Sequence, residues 1–340
     1  MTALGLDDVA AAAARIAGRV LHTPVVASRT LDAMLGHAVL FKCENLQRIG
    51  AFKARGALNT MLWLREQGRL PGAVVAFSSG NHAQAVAWAA RDLGVRATIF
   101  MHAQSSAIKR AATEAYGARV VLRERRADAE REAAEMGKES GCALIPPYDH
   151  DQIICGQGTA ALEALDERPE VEAVFAPVGG GGLLSGTLIA TKGTAPASGR
   201  SGAPRLVFGG EPLLANDAAR SLREGRIVAF DDAPATLADG ARTLSLSART
   251  FGYLRQCDGI FEIEEEEMAA WTQWLTHLLK LQIEPTGALG MAAAARWVAQ
   301  QPAAPRRTAL VILSGGNADA ATMRRVWAHD HLARSPSTRR

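Results

Sequence analysis

Four consecutive glycines, Gly179, Gly180, Gly181 and Gly182, follow directly on the apolar stretch 171–178. Glycine loses more backbone freedom on folding than any other residue, so four in a row at a strand end imply a use. Their N–H groups can approach an anion closely from several directions, which is the physics of a phosphate site. The run is not GxGxxG, and no Lys-Ser or Lys-Thr pair follows it. Dinucleotide and nucleoside-triphosphate loops are therefore poorly matched.

The glycine run belongs to a wider alternation. Strand-like runs at Ala38–Lys42, Ala73–Phe77, 96–101, 119–122, 171–178, 205–209 and 309–313 are separated by helical spacing, as at 51–66 and Asn81–Leu93. Strands joined through single helices predict right-handed crossovers and a largely parallel sheet, an α/β fold. Residues 194–204 and 301–305, rich in Ala, Ser, Gly and Pro, read as surface loops. Five acids within 262–267 precede Trp271 and Trp274 and read as a helix start, where the helix dipole favours negative charge.

Bulk properties exclude several function classes. Net charge is +3, from 38 basic and 35 acidic side chains, which gives no case for nucleic acid or an anionic membrane as partner. No apolar run reaches the roughly 20 residues that span a bilayer. Asp7, Asp8, Arg15 and Arg19 interrupt the alanine-rich N-terminus, unlike a secretory leader. Cys43, Cys142, Cys155 and Cys257 form no CxxC pair and no zinc-like spacing with His, so the chain reads as reduced and cytoplasmic. The tail from His331 to Arg340 reads as a frayed, solvated end.

Ligands in open α/β sheets sit at the C-terminal ends of strands, and four such loops carry chemistry-bearing residues. In the first, Lys53 stands between Phe52 and Ala54 at a helix start, where burial and the helix field disfavour its ammonium and would poise a nucleophilic amine. By itself a helix lysine is ordinarily a solvated surface residue. The second, Ser78-Ser79-Gly80-Asn81-His82, offers hydroxyls and N–H groups to a carboxylate, or Ser79 or Asn81 as a plain helix cap. The third is the glycine run with Leu183. The fourth places the Ser314 hydroxyl at a strand tip, where a helix cap is the plainer reading.

Taken together and in order, the segments ENLQRIGAFKARGA, SSGNHAQ, VGGGGLLSG, EPTGALG and LSGGNAD resemble the fold-type-II pyridoxal-phosphate (PLP) enzymes, in their serine/threonine dehydratase and serine racemase branch. The likeness runs from about Asp7 to about Asp319. It implies a two-domain α/β fold similar to the tryptophan synthase β chain, with twisted, mostly parallel sheets flanked by helices. The implied large domain is 1–62 plus 149–330, the small domain 63–148, and 331–340 a flexible tail. A homodimer is also implied.

The resemblance assigns roles residue by residue. Lys53 would carry PLP as a Schiff base and Phe52 would pack on the ring. Asn81 would bond the ring O3′. Gly179, Gly180, Gly181, Gly182 and Leu183 would hold the phosphate, and Ser314 would face the pyridine nitrogen. Ser78, Ser79, Gly80, Asn81 and His82 would receive the substrate, with Ser79 as a second acid/base on the opposite ring face. The racemase branch binds a divalent cation through a Glu, a carbonyl four residues on and an Asp two further. Glu211, Ala215 and Asp217 keep that spacing, and Mg²⁺, Ca²⁺ or Mn²⁺ would suit such oxygen ligands.

The implied activity is elimination of water from a small β-hydroxy amino acid, L-threonine or L-serine, giving 2-oxobutyrate or pyruvate and ammonia. Serine racemisation with side elimination, or dehydration of phenylserine, hydroxyaspartate or a hydroxyectoine-derived amino acid, would use the same parts. Ala51 before Phe-Lys is more like serine racemases and hydroxyaspartate dehydratases than biosynthetic threonine dehydratases. Thr243 and Leu244 stand where serine racemases carry two adjacent serines, which implies a more apolar pocket. No arginine is assignable to a second substrate carboxylate. About 20 residues follow Asp319, so the regulatory domain of biosynthetic threonine dehydratases is not expected.

Overall fold

The computed structural model describes residues 3–105, 107–194, 204–303 and 305–333. Most of the loop expected at 194–204, residue 304 of the loop 301–305, and the tail from 334 lie outside the described residues. The strands are β1 (Val25–Ala27), β2 (Ala38–Lys42), β3 (Ala73–Phe77), β4 (Arg96–His102), β5 (Arg119–Arg123), β6 (Cys142–Leu144), β7 (Ala173–Pro177), β8 (Leu206–Pro212), β9 (Gly259–Ile263) and β10 (Thr308–Ile312).

They form two sheets. The larger has the order β1-β2-β10-β7-β8-β9 and the smaller β5-β4-β3-β6. Every pairing is parallel except β1 with β2. Crossover helices cover the faces, so the central strands β7 and β10 are buried at every residue and read as continuous apolar runs. The edge strand β5 is half-exposed and carries Arg119 and Arg123, charges that discourage pairing with another chain.

The smaller sheet draws its strands only from residues 73–144. The expected boundaries at 63 and 148 enclose it, and the first falls inside helix Lys53–Glu66. β1, β6 and β9 go beyond the strands read from the sequence. The acidic run is also divided differently. Glu262 and Ile263 close β9, and the helix begins only at Glu265.

Two close helix approaches set the site. A Cβ on Gly156 would lie 2.7 Å from Gly56 Cα, and one on Gly158 would lie 2.6 Å from the Gly186 carbonyl oxygen. Helix Asp151–Glu167 is thereby pressed between helix Lys53–Glu66 and helix Gly182–Gly193. Glycine at these crossings lets the backbones touch, which brings the Lys53 turn close to the glycine run.

Candidate active site

The loop that carries Lys53 is stitched to the loop after β10. Phe52 N–H donates to Ser314 O at 3.0 Å, and Gly316 N–H donates to Gly50 O at 3.0 Å. Ile49 has φ of 58°, a costly conformation for a β-branched residue. Asn317 Nδ2 donates to its carbonyl at 2.7 Å and helps hold it there. Lys53 Nζ donates to Pro147 O at 2.7 Å and lies 5.2 Å from the Phe52 ring centre. The residue keeps some exposure, but its amine lies deep enough that burial lowers its pKa to about 8. The solvated-surface alternative is excluded by this placement.

A buried ionic network underpins that turn. Arg55 donates to Glu44 through Nε at 2.7 Å and Nη2 at 2.8 Å, and to Glu163 through Nη1 at 2.6 Å. Lys42 donates to the same Glu163 at 2.7 Å and to Thr23 O at 2.7 Å. Arg55, Lys42 and Glu44 are completely buried. Such pairs add little net stability, but each is costly to break, so they fix the geometry of the loop between β2 and Lys53.

The loop after β3 does not use its polar side chains as helix caps. Gly80 is the N-cap of helix Asn81–Leu93, with no side-chain cap. Ser78 Oγ accepts from Gly80 N–H at 3.2 Å, and Ser79 Oγ accepts from His102 N–H at 3.4 Å. His82 is buried, and its Nε2 meets Ile145 O at 2.8 Å, so Nε2 carries the proton and Nδ1 is left as an unpartnered acceptor. Burial, then the Lys53 charge, depress its pKa to about 3. The ring is neutral at physiological pH.

Asn81 is locked by two neighbours. Its Nδ2 donates to both oxygens of Glu284, at 2.9 and 3.1 Å, and its Oδ1 accepts from Asn317 Nδ2 at 2.9 Å. Glu284 itself comes from the EPTGALG segment, where sequence reasoning assigned no residue a role. Burial, then Asp239, push its pKa up to about 7, opposed by Lys109 and Asn81. Lys109 pairs with Asp239 nearby.

The glycine run forms a turn that tolerates no side chains. A Cβ on Gly179 would lie 3.0 Å from Gly240 O, one on Gly180 would lie 2.2 Å from the Tyr148 ring, and one on Gly182 would lie 2.7 Å from Gln157 Oε1. Gly181 has φ of 84°, and helix Gly182–Gly193 starts immediately after it. Successive N–H groups at a helix start suit a phosphate. Ser314 is buried, no helix starts there, and its Oγ has no partner. A buried hydroxyl costs free energy without one, which a ring nitrogen could supply. PLP fits this set: an amine of lowered pKa, a phosphate cradle, an unpartnered serine and the oriented Asn81 amide.

The cation candidates also come together. Glu211 lies in β8, fully buried, and accepts from Ala218 N–H at 2.9 Å and Ala219 N–H at 2.8 Å. Asp217 opens helix Asp217–Glu224, fully buried, and neither carboxylate oxygen has a partner. Burial, then the Asp217 charge, hold Glu211 well above its ordinary range, and burial raises Asp217 to about 7. Ala215 closes the short turn between the two acids. No group of three acidic, His or Cys side chains gathers among the described residues, so a cation here would need two carboxylates, a carbonyl and water.

One residue departs from the sequence reading. Arg126, at the start of helix Arg126–Met136, lies 5.4 Å over the Phe77 ring, next to Ser78. Its Nη1 donates to Arg242 O at 3.1 Å, and its Nε is buried with no partner. An arginine therefore does stand beside the loop after β3. Thr243, beyond Arg242, has a buried unpartnered hydroxyl.

A poised lysine amine and a glycine cradle, joined through the Pro147-Tyr148 pair, define the class of enzymes that anchor a phosphorylated carbonyl cofactor on lysine. The chain belongs to the family of pyridoxal-phosphate dependent enzymes, whose model matches residues 16–315. It is similar to the L-threo-3-hydroxyaspartate ammonia-lyase of Saccharomyces cerevisiae, at 43% identity over 92% of this chain and 93% of that protein. It is 42% identical to the serine racemase of Schizosaccharomyces pombe over 92% of this chain and 94% of that protein. A solved T.th. threonine deaminase superposes with a TM-score of 0.84 at 45% identity, covering 93% of this chain and 99% of that one. No helix among the described residues is long and apolar enough to cross a membrane.

Proposed function

We propose that the chain is a PLP-dependent ammonia-lyase that removes water from a small β-hydroxy amino acid, and that L-threo-3-hydroxyaspartate is its favoured substrate. The observation that carries the substrate is Arg126. A buried guanidinium nitrogen without a partner, beside the carboxylate-receiving loop, suits a second carboxylate on the substrate. The name of the yeast relative agrees. The half-buried Leu244 favours L-threonine as the second reading, and the likeness to the solved threonine deaminase supports it.

When bound, PLP supplies the electron sink that weakens the α C–H and β C–O bonds. The residues of the chain do the rest. Lys53 Nζ, with its lowered pKa, holds and moves the α-proton as general base. Ser78, Ser79 and Gly80 would receive the α-carboxylate, and Asn81, held by Glu284 and Asn317, would face the ring O3′. Gly179, Gly180, Gly181, Gly182 and Leu183 would hold the phosphate and Phe52 would pack on the ring. Ser314, buried and unpartnered, would offer a neutral hydroxyl to the ring nitrogen, a milder arrangement than a carboxylate. His82 presents a neutral acceptor beside Lys53. Ser79 is the second acid/base if racemisation accompanies elimination. Glu211, Ala215 and Asp217 would hold Mg²⁺ or a similar cation, and the molecule works as a two-domain homodimer.

The test is keto-acid and ammonia release by the PLP-loaded protein from L-threo-3-hydroxyaspartate, L-threonine and L-serine. Faster oxaloacetate than 2-oxobutyrate or pyruvate supports the reading. Fast 2-oxobutyrate with no oxaloacetate moves the preference to threonine.

A further inference from the structure

Two carbonyls of the connection that leaves β6 are held by side chains from two different helices. Ile145 O accepts from His82 Nε2 at 2.8 Å, and Pro147 O accepts from Lys53 Nζ at 2.7 Å. His82 lies in the first turn of helix Asn81–Leu93, and Lys53 opens helix Lys53–Glu66. Between the two carbonyls the chain reads Ile145-Pro146-Pro147. Proline fixes its own φ and pushes the residue before it to extended backbone, so this stretch has little torsional freedom with which to absorb a displacement. Ile145 is fully buried, and its N–H donates to Val75 O at 2.9 Å, which ties the start of the stretch to β3. The place of the Pro147 carbonyl is therefore set from Ile145.

His82 is a costly side chain for packing alone. Its Nδ1 is buried without a partner, and a leucine there would bury no such acceptor. What the imidazole adds is the bond to Ile145 O. Lys53, in turn, has a use for Pro147 O. A general base becomes an ammonium when it takes a proton, and a buried ammonium needs an acceptor. Burial is the cause that shifts Lys53, with no carboxylate contributing. Nearby, His82 is neutral and the Tyr148 hydroxyl is pushed up to about 12, so neither offers a counter-charge. The Pro147 carbonyl is the acceptor in place.

We propose that His82 is a positioning residue for Lys53: by holding Ile145 O it fixes, through the stiff Ile145-Pro146-Pro147 stretch, the Pro147 carbonyl that seats the amine. The role rests on Lys53 being the cofactor lysine, as proposed above. A hydrogen bond to the charged form of a group favours that form, so a displaced Pro147 carbonyl makes the ammonium harder to keep.

The experiment measures the pH midpoint for capture of PLP by the full-length apoprotein, followed by absorbance, in wild type, His82→Leu, His82→Gln and Pro146→Ala. PLP ionises identically in all four, so differences between midpoints report the amine. A glutamine amide can still donate to Ile145 O, and leucine cannot. Pro146→Ala loosens the stretch with His82 in place, and it keeps the test decisive should His82→Leu not fold. The midpoint should fall by about one pH unit in His82→Leu, fall in the same direction in Pro146→Ala, and stay near that of wild type in His82→Gln. An unchanged midpoint in His82→Leu, or in Pro146→Ala, overturns the role of His82. So does an equal shift in His82→Leu and His82→Gln, because the bond to Ile145 is then not the cause. A midpoint that rises towards 10.5 in His82→Leu also overturns it, since water has then reached the amine and the side chain served only to fill space. Failure of wild type to capture PLP at any pH overturns the cofactor reading itself, and the role of His82 with it.

Discussion

Lys53 Nζ donates to the Pro147 carbonyl at 2.7 Å, so the amine that would hold the cofactor is anchored to the connection between the two sheets. Burial lowers its pKa from 10.5 to about 8. Only the unprotonated amine attacks a carbonyl. Covalent capture of PLP by apoprotein, followed by absorbance, should accelerate as pH rises through about 8 and level off above it. A midpoint near 10.5 would mean that the amine is not buried as described.

Lys53→Ala should leave the near-ultraviolet circular dichroism intact and lower turnover by at least about 10²- to 10⁴-fold, the range for loss of a general base. Retention of more than a tenth of wild-type activity would assign the proton transfer elsewhere.

Gly180→Ala places a methyl group 2.2 Å from the Tyr148 ring. One of the two must shift, at a cost of about 1–3 kcal/mol. The expected result is a lower urea midpoint and a protein that purifies with less bound PLP. Unchanged stability and cofactor content would show that the turn is looser than its contacts indicate.

Mg²⁺ should stabilise the holoenzyme through Glu211 and Asp217. At a hundredfold excess over its dissociation constant the gain is about 2.7 kcal/mol, measured as a rise in melting temperature. Asp217→Asn should lose that response. An equal response in the variant would place the cation at another site.

Much of this was legible in the sequence because the site is made of short contiguous segments. The four loops after strands carry their chemistry locally, and the glycine run is informative because a Cβ has no room there. What was missed depends on long-range closure. Arg126 sits in the charged run Arg123-Glu124-Arg125-Arg126, where nothing local marks it, and it meets Arg242, 116 residues away. The strand Cys142–Leu144 has only three residues, too few for an alternating pattern to stand out. Glu262 read as helical because acids suit helix starts. At the edge of the larger sheet the same side chain bonds Asn216 and Arg223 instead.

Selectivity between a dicarboxylic and a monocarboxylic substrate tests the central claim most directly. The measurement is kcat/KM for L-threo-3-hydroxyaspartate and for L-threonine, in wild type and in Arg126→Met. A hydrogen bond between charged groups is worth about 1.5–3 kcal/mol, so the variant should lose roughly 10- to 150-fold on hydroxyaspartate and little on threonine. Equal losses on both substrates, or none on hydroxyaspartate, would contradict the assignment of Arg126 to a second carboxylate.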